Sequence, residues 1–156
     1  MIKKPVKLTE STEDYLEVMY VLKNTKGFIK VKDIAKQLEV KPPSVVQAIQ
    51  KLSDNGLVNY QRYGEINLTE TGMVLAREIF HKHDILKEFL FILGIEKKIA
   101  EEDACSMEHI LSQITIEKMS KFVEFIRINP EAADFINSFK RFAQKENQSS
   151  SSSNDK

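Results

Sequence analysis

Residues 31–55, VKDIAKQLEVKPPSVVQAIQKLSDN, carry the clearest structural signal in this chain of 156 residues. Apolar positions with helical spacing predict a short helix over Lys32–Leu38. Residues 39–41 break this pattern, and Pro42 and Pro43 follow them. Proline suits the first turn of a helix, because the N–H groups that it lacks would have no partner there. The stretch therefore predicts two helices joined by a tight turn.

The flanking segments complete a familiar order of elements. Thr9 to about Asn24 shows a helical stripe of apolar residues. Leu57–Tyr60 and Ile66–Leu68 are β-prone and enclose a polar stretch in which Gly64 permits a reversal, so they predict a hairpin. Together these elements form a winged helix-turn-helix. The second helix of such a pair commonly fills the DNA major groove, although similar successions also occur in protein-interaction modules.

Four further helical patterns fill the second half of the chain. They cover Thr69 to Gly94, about Lys97–Leu111, Ile114–Ile128 and Glu131–Gln144. We predict a mainly α fold, an N-terminal winged helix-turn-helix followed by an all-helical domain. The Ser-rich end has nothing to bury and is expected to be disordered. The expected divisions are domains over residues 1–75 and 76–144 and a Ser-rich tail over residues 145–156.

Composition and charge favour a cytoplasmic protein with no membrane segment. The 23 basic and 23 acidic side chains cancel, but residues 1–77 carry 12 and 9 of them and residues 78–156 carry 11 and 14. The more basic first half is compatible with a nucleic-acid partner. The single cysteine excludes an intramolecular disulfide, and no apolar run is long enough for a bilayer span. Two such small domains would gain stability as a homodimer.

The second helix of the pair presents the expected DNA-reading surface. Gln47 is the best candidate for a base contact, because its amide can pair bidentately with adenine. Pro43 and Ser44 are placed to touch thymine methyl groups or phosphate, and the basic residues to hold phosphate. The candidate DNA-binding residues are Lys32, Lys41, Pro43, Ser44, Val46, Gln47, Gln50, Lys51, Arg62 and Tyr63.

Another set of residues has the chemistry of metal ligands. Asp14 and Glu17 lie three positions apart on the first helix. Cys105, Glu108 and His109 stand at i, i+3 and i+4 on a later one, so each group shares a helical face. Carboxylates and imidazoles bind first-row divalent ions, and one thiolate favours Fe²⁺, Co²⁺, Ni²⁺ or Zn²⁺ over Mg²⁺ or Ca²⁺.

Structural explanations of the same residues remain open at this point. An acidic pair near a helix start commonly complements the helix dipole, and a lone cysteine is commonly a small buried hydrophobe. His81 and His83 do not share a helical face, so they are not expected to be joint ligands, and His81 is expected to be exposed. Spacing alone does not decide between these explanations and a metal site.

The order and gaps of the motifs carry a family resemblance. Over residues 8–128 the chain reads Asp14-x-x-Glu17, Val31–Leu38, Pro43-Ser-Val45, Leu57-Val58, Leu68-Thr-x-x-Gly72, His83, Phe89-Leu90 and Cys105-x-x-Glu108-His109. This pattern resembles the metal-dependent repressors of the diphtheria toxin repressor and manganese transport regulator family. The resemblance implies a metal-activated homodimer that binds operator DNA and controls metal-uptake genes, with a helical metal-binding and dimerisation domain. The implied metal ligands are Asp14, Glu17, His83, Cys105, Glu108 and His109.

The implied ligands fall between two branches of that family. Asp14 and Glu17 resemble the manganese branch, whereas Cys105 resembles the iron branch. We therefore slightly favour Fe(II) over Mn(II), with Co(II), Ni(II) or Zn(II) as substitutes. Lys87 and Glu101 replace a glutamate and a histidine of the ancillary site in the iron branch, so a second site is not assumed. The chain resembles the short form of the family, without an SH3-like domain.

Two other functions are compatible with the same residues. A metal-independent winged-helix transcription factor would keep its DNA affinity when metal is removed. A small metalloenzyme would use Cys105, Glu108 and His109 as ligands and Glu17 as a base. The sequence contains no phosphate-binding glycine loop, nucleophile elbow or zinc-hydrolase motif. We therefore expect a regulator and not an enzyme.

Overall fold

The computed structural model describes residues 8–61 and 64–151, with side chains as far as residue 144. It is mainly helical with one antiparallel hairpin, as predicted. The elements are α1 (Glu10–Lys26), α2 (Val31–Gln37), α3 (Pro42–Asp54), β1 (Val58–Tyr60), β2 (Ile66–Leu68), α4 (Glu70–Ile92), α5 (Lys97–Ile110), α6 (Gln113–Ile128) and α7 (Ala132–Ser151). The chain divides into two compact units, residues 1–81 and 82–156, and this division falls within α4. The domain boundary expected from the sequence lies in the same helix.

The first unit is built on an apolar core shared by its three N-terminal helices. On α3 the buried residues are spaced by four and then three positions, which puts them on one helical face. Gly27 caps the C-terminus of α1, and its φ of 79° allows its amide to close the last turn on the carbonyl of Lys23. The fully enclosed side chains that these three helices contribute to the core are Leu16, Met19, Ile34, Val45, Ile49 and Leu52.

The turn between α2 and α3 is closed by backbone hydrogen bonds. The amide of Val40 donates to the carbonyl of Ala35 at 3.0 Å, a Schellman closure of α2. Glu39, just before Val40, has a φ of 54°, a conformation that residues other than glycine seldom adopt. α3 then begins at Pro42, as the sequence predicts. The two helices and their turn therefore match the predicted pair closely.

A polar joint connects the end of α3, the hairpin and the start of α4. The hydroxyl of Thr69 donates to the carbonyl of Gly56 at 2.8 Å and accepts from the amide of Gly72 at 3.0 Å. The amide of Thr69 donates to the carbonyl of Leu57, also at 3.0 Å. Thr69 thus caps α4 and holds it against the residues that enter β1. We refer to Gly56, Leu57, Thr69 and Gly72 as the Thr69 joint.

The hairpin is short and is joined by a third segment. β1 and β2 pair antiparallel, with Val58 opposite Leu68, and Ile29 forms an isolated bridge to Ile66. This confirms the predicted hairpin. The expected phosphate contacts Arg62 and Tyr63 lie outside the described residues.

The second unit contains the rest of α4 and the helices α5 to α7. Leu86 and Leu90 of α4 pack with Ala100 and Ala104 of α5, where small side chains allow close approach. Ser112 caps α6 by accepting from the amide of Thr115. α4 and α6 are further linked by an aromatic contact and an ion pair, formed by Phe89 with Phe122 and by Glu88 with Arg127.

The final helix is longer than the sequence predicts. We expected a helix ending near Gln144 and a disordered tail from residue 145, but α7 continues to Ser151. Residues 132–151 contain no proline or glycine, so no residue in this segment imposes a helix end. The remaining part of the predicted tail, residues 152–156, lies outside the described residues. No helix in the described ranges is long and apolar enough to cross a membrane.

Candidate metal centre

Three predicted ligands meet on one face of α5. Cys105, Glu108 and His109 each offer one ligand atom, and these atoms lie within 4.8 Å of one another. Cys105 is exposed, whereas the side chains of Glu108 and His109 are only 2% and 7% exposed. The three side chains therefore share one helical face, as predicted. The thiol of Cys105 lies at the solvent side of this face and the carboxylate of Glu108 at the buried side.

His83 of α4 contacts the same group from a second helix. Its Nδ1 lies 3.0 Å from Oε2 of Glu108, and both side chains are buried. The other ring nitrogen, Nε2, lies 2.9 Å from Oε1 of Glu101 on α5. The second unit thus brings together four of the six predicted ligands.

Glu108 has a buried oxygen atom that the described residues leave without a hydrogen bond. Oε2 faces His83, but Oε1 has no hydrogen-bond partner within the described part of the chain, and Nε2 of His109 is 3.5 Å away. A buried carboxylate oxygen without a partner is costly, and a bound cation would satisfy it. With a thiol and two imidazoles nearby, this donor set fits a first-row divalent ion.

The other two predicted ligands, Asp14 and Glu17, belong to the first unit. They lie one turn apart on α1, and both are partly buried. The acidic residues in the first turn of α1 are Glu10 and Glu13. Because the effect of a helix dipole fades beyond the first turn, a dipole role accounts poorly for Asp14 and Glu17. Their role as ligands stays a prediction. His81 is exposed, as expected.

The contacts of Glu101 are not predicted from the sequence, where this residue is only a departure from one branch of the family. It contacts His83 and also lies 3.7 Å from Nζ of Lys87. A signal was available, because Glu101, Cys105 and Glu108 stand at i, i+4 and i+7, which places them on one helical face.

The candidate DNA-binding residues lie on the surface of the first unit. Gln50 donates its amide to Asp54 at 3.0 Å, whereas Gln47 lies in the middle of the exposed face of α3. Arg62 and Tyr63 are not described. The candidates that are described and exposed are Lys32, Lys41, Pro43, Ser44, Val46, Gln47, Gln50 and Lys51.

Two family models match this chain, one over each part of it. The iron dependent repressor, N-terminal DNA binding domain, matches residues 7–66. The iron dependent repressor, metal binding and dimerisation domain, matches residues 69–135. The HTH-type transcriptional regulator MntR of Bacillus pumilus is 32% identical over 142 residues, which cover 91% of this chain and 99% of that protein. The chain belongs to the iron-dependent repressor family.

Other members of the family agree with this assignment. An HTH-type transcriptional regulator of Methanocaldococcus jannaschii is 41% identical over 119 residues, covering 75% of this chain and 95% of that protein. The solved structure of the manganese regulator SloR superimposes with a TM-score of 0.66 at 30% identity, covering 80% of this chain and 58% of that chain. This repressor therefore spans little more than half the length of SloR.

Membership confirms the resemblance seen in the sequence. Iron-dependent repressors are transcriptional regulators and not enzymes, which excludes the metalloenzyme alternative for this chain. The two matched models assign DNA binding to the first part of the chain, and divalent-metal binding and dimerisation to the second. The four predicted ligands on α4 and α5 lie within the second of these.

Proposed function

We propose that this repressor acts in the cytoplasm as a homodimer that binds the operators of metal-uptake genes when it is loaded with a divalent transition metal. The proposed ligands are Asp14, Glu17, His83, Cys105, Glu108 and His109. The observation that carries this proposal is the buried Oε1 of Glu108, which has no hydrogen-bond partner in the described chain. Other atoms that can bind a metal lie close to the same carboxylate. A purely structural carboxylate in that position would be destabilising.

The physiological ion in this proposal is Fe(II) or Mn(II). The thiolate of Cys105 favours Fe(II), since sulfur is the softest ligand of the set. The carboxylates are equally suited to Mn(II), and the solved relative SloR is described as a manganese regulator. The slight preference for Fe(II) over Mn(II) rests only on this one sulfur atom. The test therefore compares the two ions directly.

The ligands suggest how metal controls DNA binding. Asp14, Glu17 and Glu108 carry negative charges, which disfavour any arrangement that brings them together. A bound divalent cation supplies the opposite charge and links ligands of the DNA-binding domain to those of the dimerisation domain. The two DNA-binding heads of a dimer must reach major grooves about 34 Å apart, so restricting their freedom lowers the entropy cost of binding.

The proposal is tested by titrating promoter fragments of metal-uptake genes with the protein in three conditions. Fluorescence anisotropy is measured with chelator, with Mn(II), and with Fe(II) under anaerobic conditions. We expect either ion to raise the affinity by at least about 10-fold, and DNA to tighten metal binding by the same factor. Equal DNA affinity in chelator and in saturating metal would refute metal activation and favour a metal-independent regulator.

Gln47→Ala tests the DNA-reading surface. Loss of a bidentate amide contact to adenine is expected to weaken binding to a metal-dependent promoter fragment by about 5- to 150-fold, or ~1–3 kcal/mol. Binding to unrelated DNA should be unchanged, because phosphate contacts dominate there. Gln113→Ala, on α6 of the other unit, is the matched control. An equal loss on all sequences would show that Gln47 does not read a base.

A further inference from the structure

His83 is held between two carboxylates that differ in environment. Glu108, at Nδ1, has a 2% exposed side chain, whereas Glu101, at Nε2, has a 51% exposed one. Cys105 and His109 offer ligand atoms close to Glu108. The Nδ1 edge of the imidazole therefore faces Glu108, and the Nε2 edge faces Glu101.

Glu101 is itself held by a second contact. Its Oε1 binds His83, and its Oε2 lies 3.7 Å from Nζ of Lys87, which also lies 3.4 Å from Oδ1 of Asp84. The ammonium group of Lys87 offsets the charge of this outer carboxylate. Glu101 thus contacts the imidazole with one oxygen and a fixed cation with the other.

We propose that Glu101 is a positioning residue that orients His83 for metal binding, and that Lys87 anchors it. This inference rests on the proposed function. When a histidine binds a metal through one nitrogen, the other commonly donates its N–H to a carboxylate, which fixes the ring and the tautomer. In the tautomer that Glu101 would select, Nε2–H donates to Glu101 and Nδ1 presents its lone pair to the side where Glu108 lies.

The arrangement gives Glu101 a different role from Glu108. Glu108 is buried and has an oxygen without a hydrogen-bond partner in the described chain, so it can bind an ion directly. Glu101 already binds one imidazole and one ammonium, and its effect passes through His83. Removing Glu101 should therefore weaken metal binding without lowering the number of ions bound.

The test compares Glu101→Met with Glu102→Met in the full chain. Glu102 is the next residue on α5, is exposed, and pairs with Lys98, so its replacement removes the same charge without touching His83. Mn(II) affinity and stoichiometry are measured by calorimetry. We expect Glu101→Met to bind the same number of ions about 10- to 100-fold more weakly, and Glu102→Met to match the wild type. Glu101→Gln should lose less, since its amide oxygen still accepts from Nε2–H.

A spectroscopic measurement separates positioning from general destabilisation. In the metal-free protein, ¹⁵N spectra of His83 should show a protonated Nε2 in the wild type and in Glu102→Met. In Glu101→Met the proton should shift toward Nδ1, which faces Glu108. Equal Mn(II) affinity of the Glu101→Met and Glu102→Met proteins would overturn the inference, and so would the loss of one ion, which would make Glu101 a ligand. A wild type that binds neither Mn(II) nor, under anaerobic conditions, Fe(II) would instead refute the proposed function.

Discussion

Glu108→Gln is expected to abolish metal-dependent DNA binding while the metal-free protein remains folded. The substitution keeps the size of the side chain but removes the charge of a buried proposed ligand that faces His83 and His109. We expect the affinity for Mn(II) to fall about 100-fold or more, at or beyond the upper end of the loss caused by outer-shell changes. Calorimetry and promoter-binding assays with Mn(II) measure the two effects.

The stability of the metal-free variant distinguishes a ligand from a structural ion pair. The carboxylate of Glu108 is buried and lacks a full set of hydrogen-bond partners. Its removal should leave the stability of the protein in chelator unchanged or raised, because His83 keeps its contact with Glu101. If Glu108 were only a partner for His83, the variant would be destabilised in chelator and would keep its response to metal. Asp103→Asn, at an exposed position of the same helix, serves as the charge control.

Gly72→Ala is expected to destabilise the first unit by about 3 kcal/mol or more. A Cβ atom at this position would overlap the carbonyl oxygen of Leu57, and that oxygen accepts the amide of Thr69. The clash is with backbone, so no side-chain rotation can relieve it. Either α4 moves away from β1, or the hydrogen bonds of the Thr69 joint break. Urea denaturation in chelator, followed by circular dichroism, measures the loss.

Gly56→Ala is the control for this prediction, because its cost comes from backbone conformation and not from a steric clash. Gly56 has a φ of 71°, and a Cβ atom there would meet nothing within 4 Å. Its replacement should cost only the backbone strain of a left-handed residue, about 1 kcal/mol. If Gly72→Ala costs no more than Gly56→Ala, the close approach at the Thr69 joint does not contribute to stability.

Local patterns predicted most of the fold. The double proline at 42–43 marked the start of α3, and Gly64 between β-prone runs marked the hairpin, because these signals depend on a few neighbouring residues. The end of α7 was misplaced, since the Ser-rich sequence suggested disorder and no stop residue was present. The clash at Gly72 was not foreseen, because the partner backbone, Leu57, is distant in sequence.

In the candidate metal centre, too, groupings within one helix were predicted, whereas contacts that depend on packing between helices were not. Helical spacing identified Cys105, Glu108 and His109 as one group, because all three lie on α5. The family resemblance, and not spacing, identified His83 as a candidate ligand, since its contact with Glu108 joins two different helices and the two residues are 25 positions apart in the sequence. Glu101 was passed over because its role depends on which edge of an imidazole it faces, and that orientation is a property of side-chain packing.

The start of α3 limits how this repressor can hold phosphate. A helix N-terminus usually offers several unpaired amides to an anion. Pro42 and Pro43 have no amide hydrogen, and the amide of Ser44 already donates to the carbonyl of Lys41. As the predicted DNA-reading helix, α3 would present two apolar rings and few backbone donors in its first turn. Contacts to the DNA backbone at this end would then depend on side chains, and a hydroxyl or lysine there would have more influence than on an ordinary helix.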